Sequence, residues 1–154
     1  MTQLNNKIVW ITGASSGIGE TLAQRAAARG AKLILSSRRA NELERVRQSL
    51  PRPQEVAVLP VDLSRLEDAD ALATQAASFF GPIDILANNA GISQRTTTLD
   101  TGLPAYRQIM EVDFFAPIAL TKALLPGWVA RGNGHVVAVS SVFGHIAMAR
   151  RSGY

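Results

Sequence analysis

Between residues 7 and 140, short β-branched or apolar runs alternate with stretches in which apolar residues recur every three to four positions. The runs cover 7–12, 32–37, 55–61, 83–87 and 135–140, and each reads as a buried strand bounded by turn residues. Ile18, Leu22 and Ala26 share one helical face, closed by Gly30. Asn41 is placed to cap a helix carrying Leu43, Val46 and Leu50, and Pro51 and Pro53 forbid its continuation. Ser64 and Glu67 have capping-box spacing ahead of Leu66, Ala69, Ala73, Ala76, Ala77 and Phe80, and Gly81-Pro82 stops that helix. A longer helix is expected over 103–131, kinked at Pro117 and loosened near Pro126, and residues 141–154 read as loop. Strands that alternate one for one with helices require crossover connections. The expected fold is therefore α/β, a doubly wound parallel sheet with helices on both faces.

Composition narrows the chemistry. With 154 residues, 47% hydrophobic and 18% charged, the chain has the balance of one globular domain. It has no cysteine and two histidines, which excludes disulfides, thiolate metal sites and a histidine cluster. The net charge of +4 leaves no basic stripe, so nucleic acid is not an expected partner. No uncharged apolar run approaches the ~20 residues that span a bilayer, so neither is a membrane. The polar N-terminus lacks the apolar core of a signal peptide, and the cytoplasm is the expected compartment.

In a doubly wound sheet, ligands bind at the carboxyl ends of the strands. Those ends carry the loop Thr12 to Gly19, then Ser37-Arg38-Arg39, Asp62-Leu63, Asn88-Asn89-Ala90-Gly91 and Ser140-Ser141. In the first loop, Gly13 permits a tight turn, while Gly17 and Gly19 let backbone approach a pyrophosphate and let the helix pack on the sheet. Ser15, Ser16 and Ile18 complete a segment whose helix would direct free N–H groups at an anion. The glycines alone fit an ordinary strand-to-helix turn equally well, and the missing Gly-Lys-Ser/Thr excludes a P-loop. About 20 residues further on, an NAD-specific site would carry an acid for the ribose 2'-hydroxyl. Ser37, Arg38 and Arg39 stand there instead, and a guanidinium meets a 2'-phosphate with two charge-assisted hydrogen bonds. These residues favour NADP(H).

Taken together, the TGxxxGxG loop (Thr12 to Gly19), the Asn88-Asn89-Ala90-Gly91 tetrapeptide and a serine thirteen residues before a tyrosine (Ser141, Tyr154) make the chain resemble the short-chain dehydrogenase/reductase family over its whole length. The resemblance implies a Rossmann-like fold. It also implies that Asp62 and Leu63 flank the adenine, that Asn89, Ala90 and Gly91 lie under the adenosine ribose, and that Ser141 and Tyr154 face the substrate oxygen. The implied reaction is hydride transfer between NADP(H) and an alcohol or carbonyl compound, with Tyr154 exchanging the proton and Ser141 holding the oxygen. The family's long helix carries an asparagine where Asp113 stands, which places Asp113 among the candidate catalytic residues. A lysine that follows the tyrosine in the family would lie past Tyr154. Residues 1–154 accordingly read as a single dinucleotide-binding domain, incomplete at its C-terminus, from a protein expected to form homo-oligomers at full length. Two alternatives stand beside the enzyme: a non-catalytic NADP(H)-binding sensor, and an inert fragment of such an enzyme.

Overall fold

The structure, a computed structural model, describes residues 3–153. Strand β1 (Ile8–Thr12) leads into α1 (Gly17–Ala27), β2 (Lys32–Ser36), α2 (Ala40–Ser49), β3 (Val56–Val58), α3 (Ala69–Phe80) and β4 (Ile85–Asn88). Helices α4 (Leu103–Met110) and α5 (Ala116–Arg131) then run into β5 (His135–Ala138). All strand pairs are parallel, in the order β3-β2-β1-β4-β5. The chain thus winds outward from β1 in both directions, and the order reverses between β1 and β4.

Alternation along β1 builds a core on each face of the sheet. Val9 and Ile11 pack with Leu33 and Leu35 of β2 against Ala23 and Ala26 of α1 and Leu43 and Val46 of α2. Ile8 and Trp10 point the other way, with Ile34 and Leu86, toward Ala73 and Ala76 of α3 and Leu120, Leu124 and Trp128 of α5. Trp10 is fully buried, and its indole N–H donates to the Ser36 hydroxyl at 2.8 Å, so its polar edge is satisfied inside the core.

Several elements depart from the sequence expectation for local reasons. Regular pairing in β3 covers only Val56–Val58, because Pro60 has no N–H, although the amides of Leu59 and Val61 still donate to Leu35 and Ser37. Arg39, not Asn41, occupies the N-cap position of α2. The expected capping box does not form: Asp62 spends its carboxylate on Ser64, and Asp68 caps α3 by accepting from the Ala71 amide at 2.8 Å. Strand β4 starts at Ile85, two residues later than expected, because the Ile83 carbonyl accepts from the Trp128 indole at 2.7 Å and from Arg131 at 2.8 Å. The long helix is broken by a π-helical segment, Glu111–Phe115, in which the Ala116 amide reaches back five residues to Glu111. Pro117 follows at once and brings no N–H to the ladder, which accounts for the shift of register at this point.

On α1 the buried residues are Gly19, Ala23, Ala26 and Ala27, whereas Ile18 is 65% exposed. Small residues bring the helix close to the sheet, and Ile18 is turned toward the carboxyl edge. Strand β5 is mostly exposed. Among the described residues, no helix is long and apolar enough to cross a membrane, and no group of three or more His, Cys, Asp or Glu side chains gathers to hold a metal.

Candidate functional site

At the carboxyl edge of the sheet, where strand order reverses, a cleft of about 600 Å³ opens between the β1, β2 and β4 ends. Its floor is a lacing of backbone and buried side chains. Thr12 Oγ1 accepts from the amides of Asn89 and Ala90, both at 3.1 Å, and donates to the Ala87 carbonyl. Asn89 returns the contact: its side-chain amide donates to the carbonyls of Thr12 at 2.9 Å and Gly13 at 3.2 Å. The Asn89 side chain is therefore a brace between two loops.

The glycines answer to different demands. Gly13 has φ +66°, and a Cβ there would stand 2.8 Å from the Ala90 Cα. At Gly19 a Cβ would collide with the Gly13 carbonyl, so this position lets α1 close on the loop. Gly17 has φ +58° with open space where a side chain would be. Ser16, the N-cap residue of α1, forms no side-chain cap. The first-turn N–H groups are thus left without a side-chain acceptor, facing a space that a phosphate can enter.

The second wall comes from the end of β2. Ser37 Oγ accepts from the Arg39 amide at 3.2 Å, and the Arg39 guanidinium donates to Ser15 Oγ, also at 3.2 Å. Arg38 lines the same cleft, and no acid stands at the end of this strand. Asp62 and Leu63 form the far side. Hydrogen bonds from the hydroxyl and amide of Ser64 hold the Asp62 carboxyl below the usual carboxylate range, with the positive charges of Arg38 and Arg65 adding to the effect. Ile18 and Leu63 face the cleft as well, so its lining mixes polar with aliphatic side chains.

The third wall carries the residues expected to meet a substrate. Ser140 and Ser141 line the cleft from the end of β5. Ser141 Oγ accepts from the Phe143 amide at 3.2 Å, which leaves its O–H able to donate. Asp113 is not one of the lining residues. From the π-helical segment its Oδ1 accepts from the Ile92 amide at 2.8 Å, so it supports the loop after Gly91. Burial pushes the Asp113 carboxyl up, and the Ile92 hydrogen bond pulls partly against that. Tyr154 lies outside the described residues. The segment before it rests on α4 and the loop after β4: Arg151 donates to Ser93 Oγ at 2.7 Å, and the Ser152 and Tyr106 hydroxyls meet at 2.7 Å.

Of the residues singled out in the sequence for a cofactor, the cleft is lined by all but Gly17. It also recruits Val61, Ile92, Ser93, Val112 and Val139, which carried no signal of their own. Each is placed by the path of a loop or the rotation of a helix. The donor set suits a dinucleotide: uncapped helical N–H groups for a pyrophosphate, guanidinium groups beside the adenosine side, and hydroxyls at the opposite end.

Comparison with known proteins agrees with this geometry. The family model described as short chain dehydrogenase matches residues 7–154. Dehydrogenase/reductase SDR family member 7 from Homo sapiens is 40% identical over 157 residues, covering 99% of this chain and 46% of that protein. A solved metagenomic short-chain oxidoreductase in complex with NADP superposes with a TM-score of 0.91 at 28% identity, over 99% of this chain and 70% of its own. A short chain dehydrogenase/reductase from Burkholderia phymatum, solved in complex with NAD, gives a TM-score of 0.92 at 26% identity, over 100% of this chain and 56% of its own. The chain spans about half the length of the curated relatives it matches.

Proposed function

The chain belongs to the short-chain dehydrogenase family, and on that basis we propose that its protein is an oxidoreductase moving a hydride between NADP(H) and an alcohol or carbonyl compound. The observation that carries the cofactor choice is the pair Arg38 and Arg39, which line the same cleft as the glycine loop with no acid beside them. A carboxylate at this position would accept from a ribose 2'-hydroxyl and repel a 2'-phosphate, whereas a guanidinium fork does the reverse.

The nicotinamide, when bound, supplies or accepts the hydride. The protein's own part is to orient and to move a proton. The Ser141 hydroxyl, free to donate, holds the substrate oxygen as its charge changes, and Tyr154 exchanges the proton with it. A phenol of ordinary pKa ~10 needs neighbouring positive charge to work near neutrality. Copies of the protein pair through the outward side of α5, a reading supported by the apolar residues exposed there.

The test is a fluorescence titration of the full-length protein with NADPH and NADH. NADPH is expected to bind at least about tenfold tighter, a difference of about 1.4 kcal/mol, and Arg38→Asp to abolish that preference. Equal affinity of the unaltered protein for the two cofactors overturns the assignment. A second reading, a non-catalytic NADP(H)-binding sensor, rests on the acid at Asp113. It predicts the same binding preference without turnover of any ketone or aldehyde in a broad panel.

A further inference from the structure

Arg45 is the most heavily engaged cation of the described residues, and it does not itself line the cleft. From α2 its Nη1 and Nη2 donate to the two carboxylate oxygens of Glu20 at 2.9 and 3.0 Å, and its Nε donates to Glu42 at 2.8 Å. Nη2 also reaches the Ser15 carbonyl at 3.3 Å. On the other side of the same residue, the Arg39 guanidinium rests on Ser15 Oγ at 3.2 Å and stands 3.5 Å from Ser16 Oγ. Ser15 thus separates two guanidinium groups, one closed on Glu20 and one open to the cleft.

Glu20 is the acid in the first turn of α1. Its side chain is 20% exposed and its carboxyl is held below the usual range, chiefly by the Arg45 hydrogen bonds. Without Arg45, that carboxylate would lie beside the Ser15–Ser16 backbone with no counter-charge, and Arg39 is the cation anchored there. A carboxylate and a phosphate compete for the same fork of N–H donors. The Arg45 side chain is 49% exposed, and exposed ion pairs add little to stability, so its saturation needs another explanation.

We propose that Arg45 is a positioning residue for cofactor choice: by occupying Glu20 it keeps Arg39 available to a 2'-phosphate. This rests on the NADP(H) reading of Arg38 and Arg39. Arg45 then governs discrimination between the two nicotinamide cofactors without contacting either, and it does so by removing a competitor.

The experiment compares Arg45→Gln, Glu20→Gln and the double variant in the full-length protein. NADPH and NADH are titrated by fluorescence, and adenosine 2',5'-bisphosphate and 5'-AMP by calorimetry. Arg45→Gln is expected to weaken NADPH and the bisphosphate by about tenfold or more, and NADH and AMP by less than about threefold. Glu20→Gln and the double variant are expected to bind NADPH within about threefold of the unaltered protein, because the competitor is gone. Equal losses for both cofactors in Arg45→Gln, or a double variant as weak as Arg45→Gln, overturn the proposal and reduce Arg45 to a loop support. If Arg45→Gln does not fold, the double variant decides alone, since normal NADPH binding supports the proposal and weak binding overturns it. An unaltered protein with no preference for NADPH removes the underlying reading, an outcome visible before any variant is made.

Discussion

Two carboxylates beside the cleft respond to acid in opposite senses. Asp113 has its carboxyl raised by partial desolvation above the ordinary 3.8, so the folded chain keeps its proton to a higher pH than the unfolded chain does. Stability drawn from this group is present at low pH and is lost as the pH rises from 3.8 through the raised folded value. Asp113→Asn should keep the Ile92 hydrogen bond through its amide oxygen, remove that loss, and leave the chain slightly more stable at neutral pH. Its effect on kcat in the full-length protein should stay under about 100-fold if the position serves through backbone groups. Asp62 behaves in reverse. Held down by Ser64, it contributes stability above 3.8 that disappears as the pH falls through its lower folded value, and Asp62→Asn should flatten that acid limb. Urea unfolding across the acid range, with each variant beside the unaltered chain, checks both signs. Individual residues were legible in the sequence where backbone geometry demanded one type: Gly13 and Gly19 stand where a Cβ would strike Ala90 or the Gly13 carbonyl. Ser93 and Val61 were not, because nothing in their chemistry distinguishes them until the loops bring them to the cleft.

Elements were legible by type and less so by boundary, and α3 shows why. Two cap signals overlap ahead of it, Ser64 with Glu67 and the single Asp68, and periodicity alone does not choose between them. The choice is made by Asp62, which takes the Ser64 hydroxyl at 2.7 Å into a turn of its own, so the helix begins at the next competent side chain. Asp68→Ala should therefore cost about 1 kcal/mol in thermal or urea unfolding, whereas Glu67→Ala should cost only a few tenths. A loss at Glu67 equal to that at Asp68 would restore the capping box. The long helix was legible as one apolar stretch, but the π-helical segment was not. Its register depends on where the ladder absorbs the missing N–H of Pro117, and the structure absorbs it upstream, over Glu111–Phe115. That placement sets the rotation of Val112 into the cleft and of Asp113 onto the Ile92 amide.

The topology followed from the sequence because alternating strands and helices admit few windings, but exposure did not, since it depends on every neighbour at once. Helix α5 is apolar on both sides: Ala116, Leu120, Leu124 and Trp128 are buried against the sheet, while Ile118, Leu125 and Val129 face outward. Just before them, Phe114 and Phe115 meet edge to face, their ring centres 5.2 Å apart, and both are about half exposed. A helix apolar all round belongs in an interior, so the outward stripe calls for a cover. On the pairing proposed above the cover is a second copy of the same chain, and the two ions on that stripe suit it. Glu111 and Lys122 are both exposed, neither has an ion pair among the described residues, and they stand about three helical turns apart. Two-fold antiparallel pairing centred between Ala116 and Pro117 sets each Glu111 against the Lys122 of the other copy and brings the two Ile118 side chains near the axis. Sedimentation velocity on the full-length protein should therefore find a dimer. Ile118→Glu, which places two like charges near that axis, should give a monomer with an unchanged circular-dichroism spectrum. Glu111→Lys should weaken the dimer by opposing two lysines, and adding Lys122→Glu should restore it, since the pair is then reversed and not lost. A monomer in the unaltered protein, or a dimer indifferent to Ile118→Glu, would show that α5 is covered by something other than its own copy.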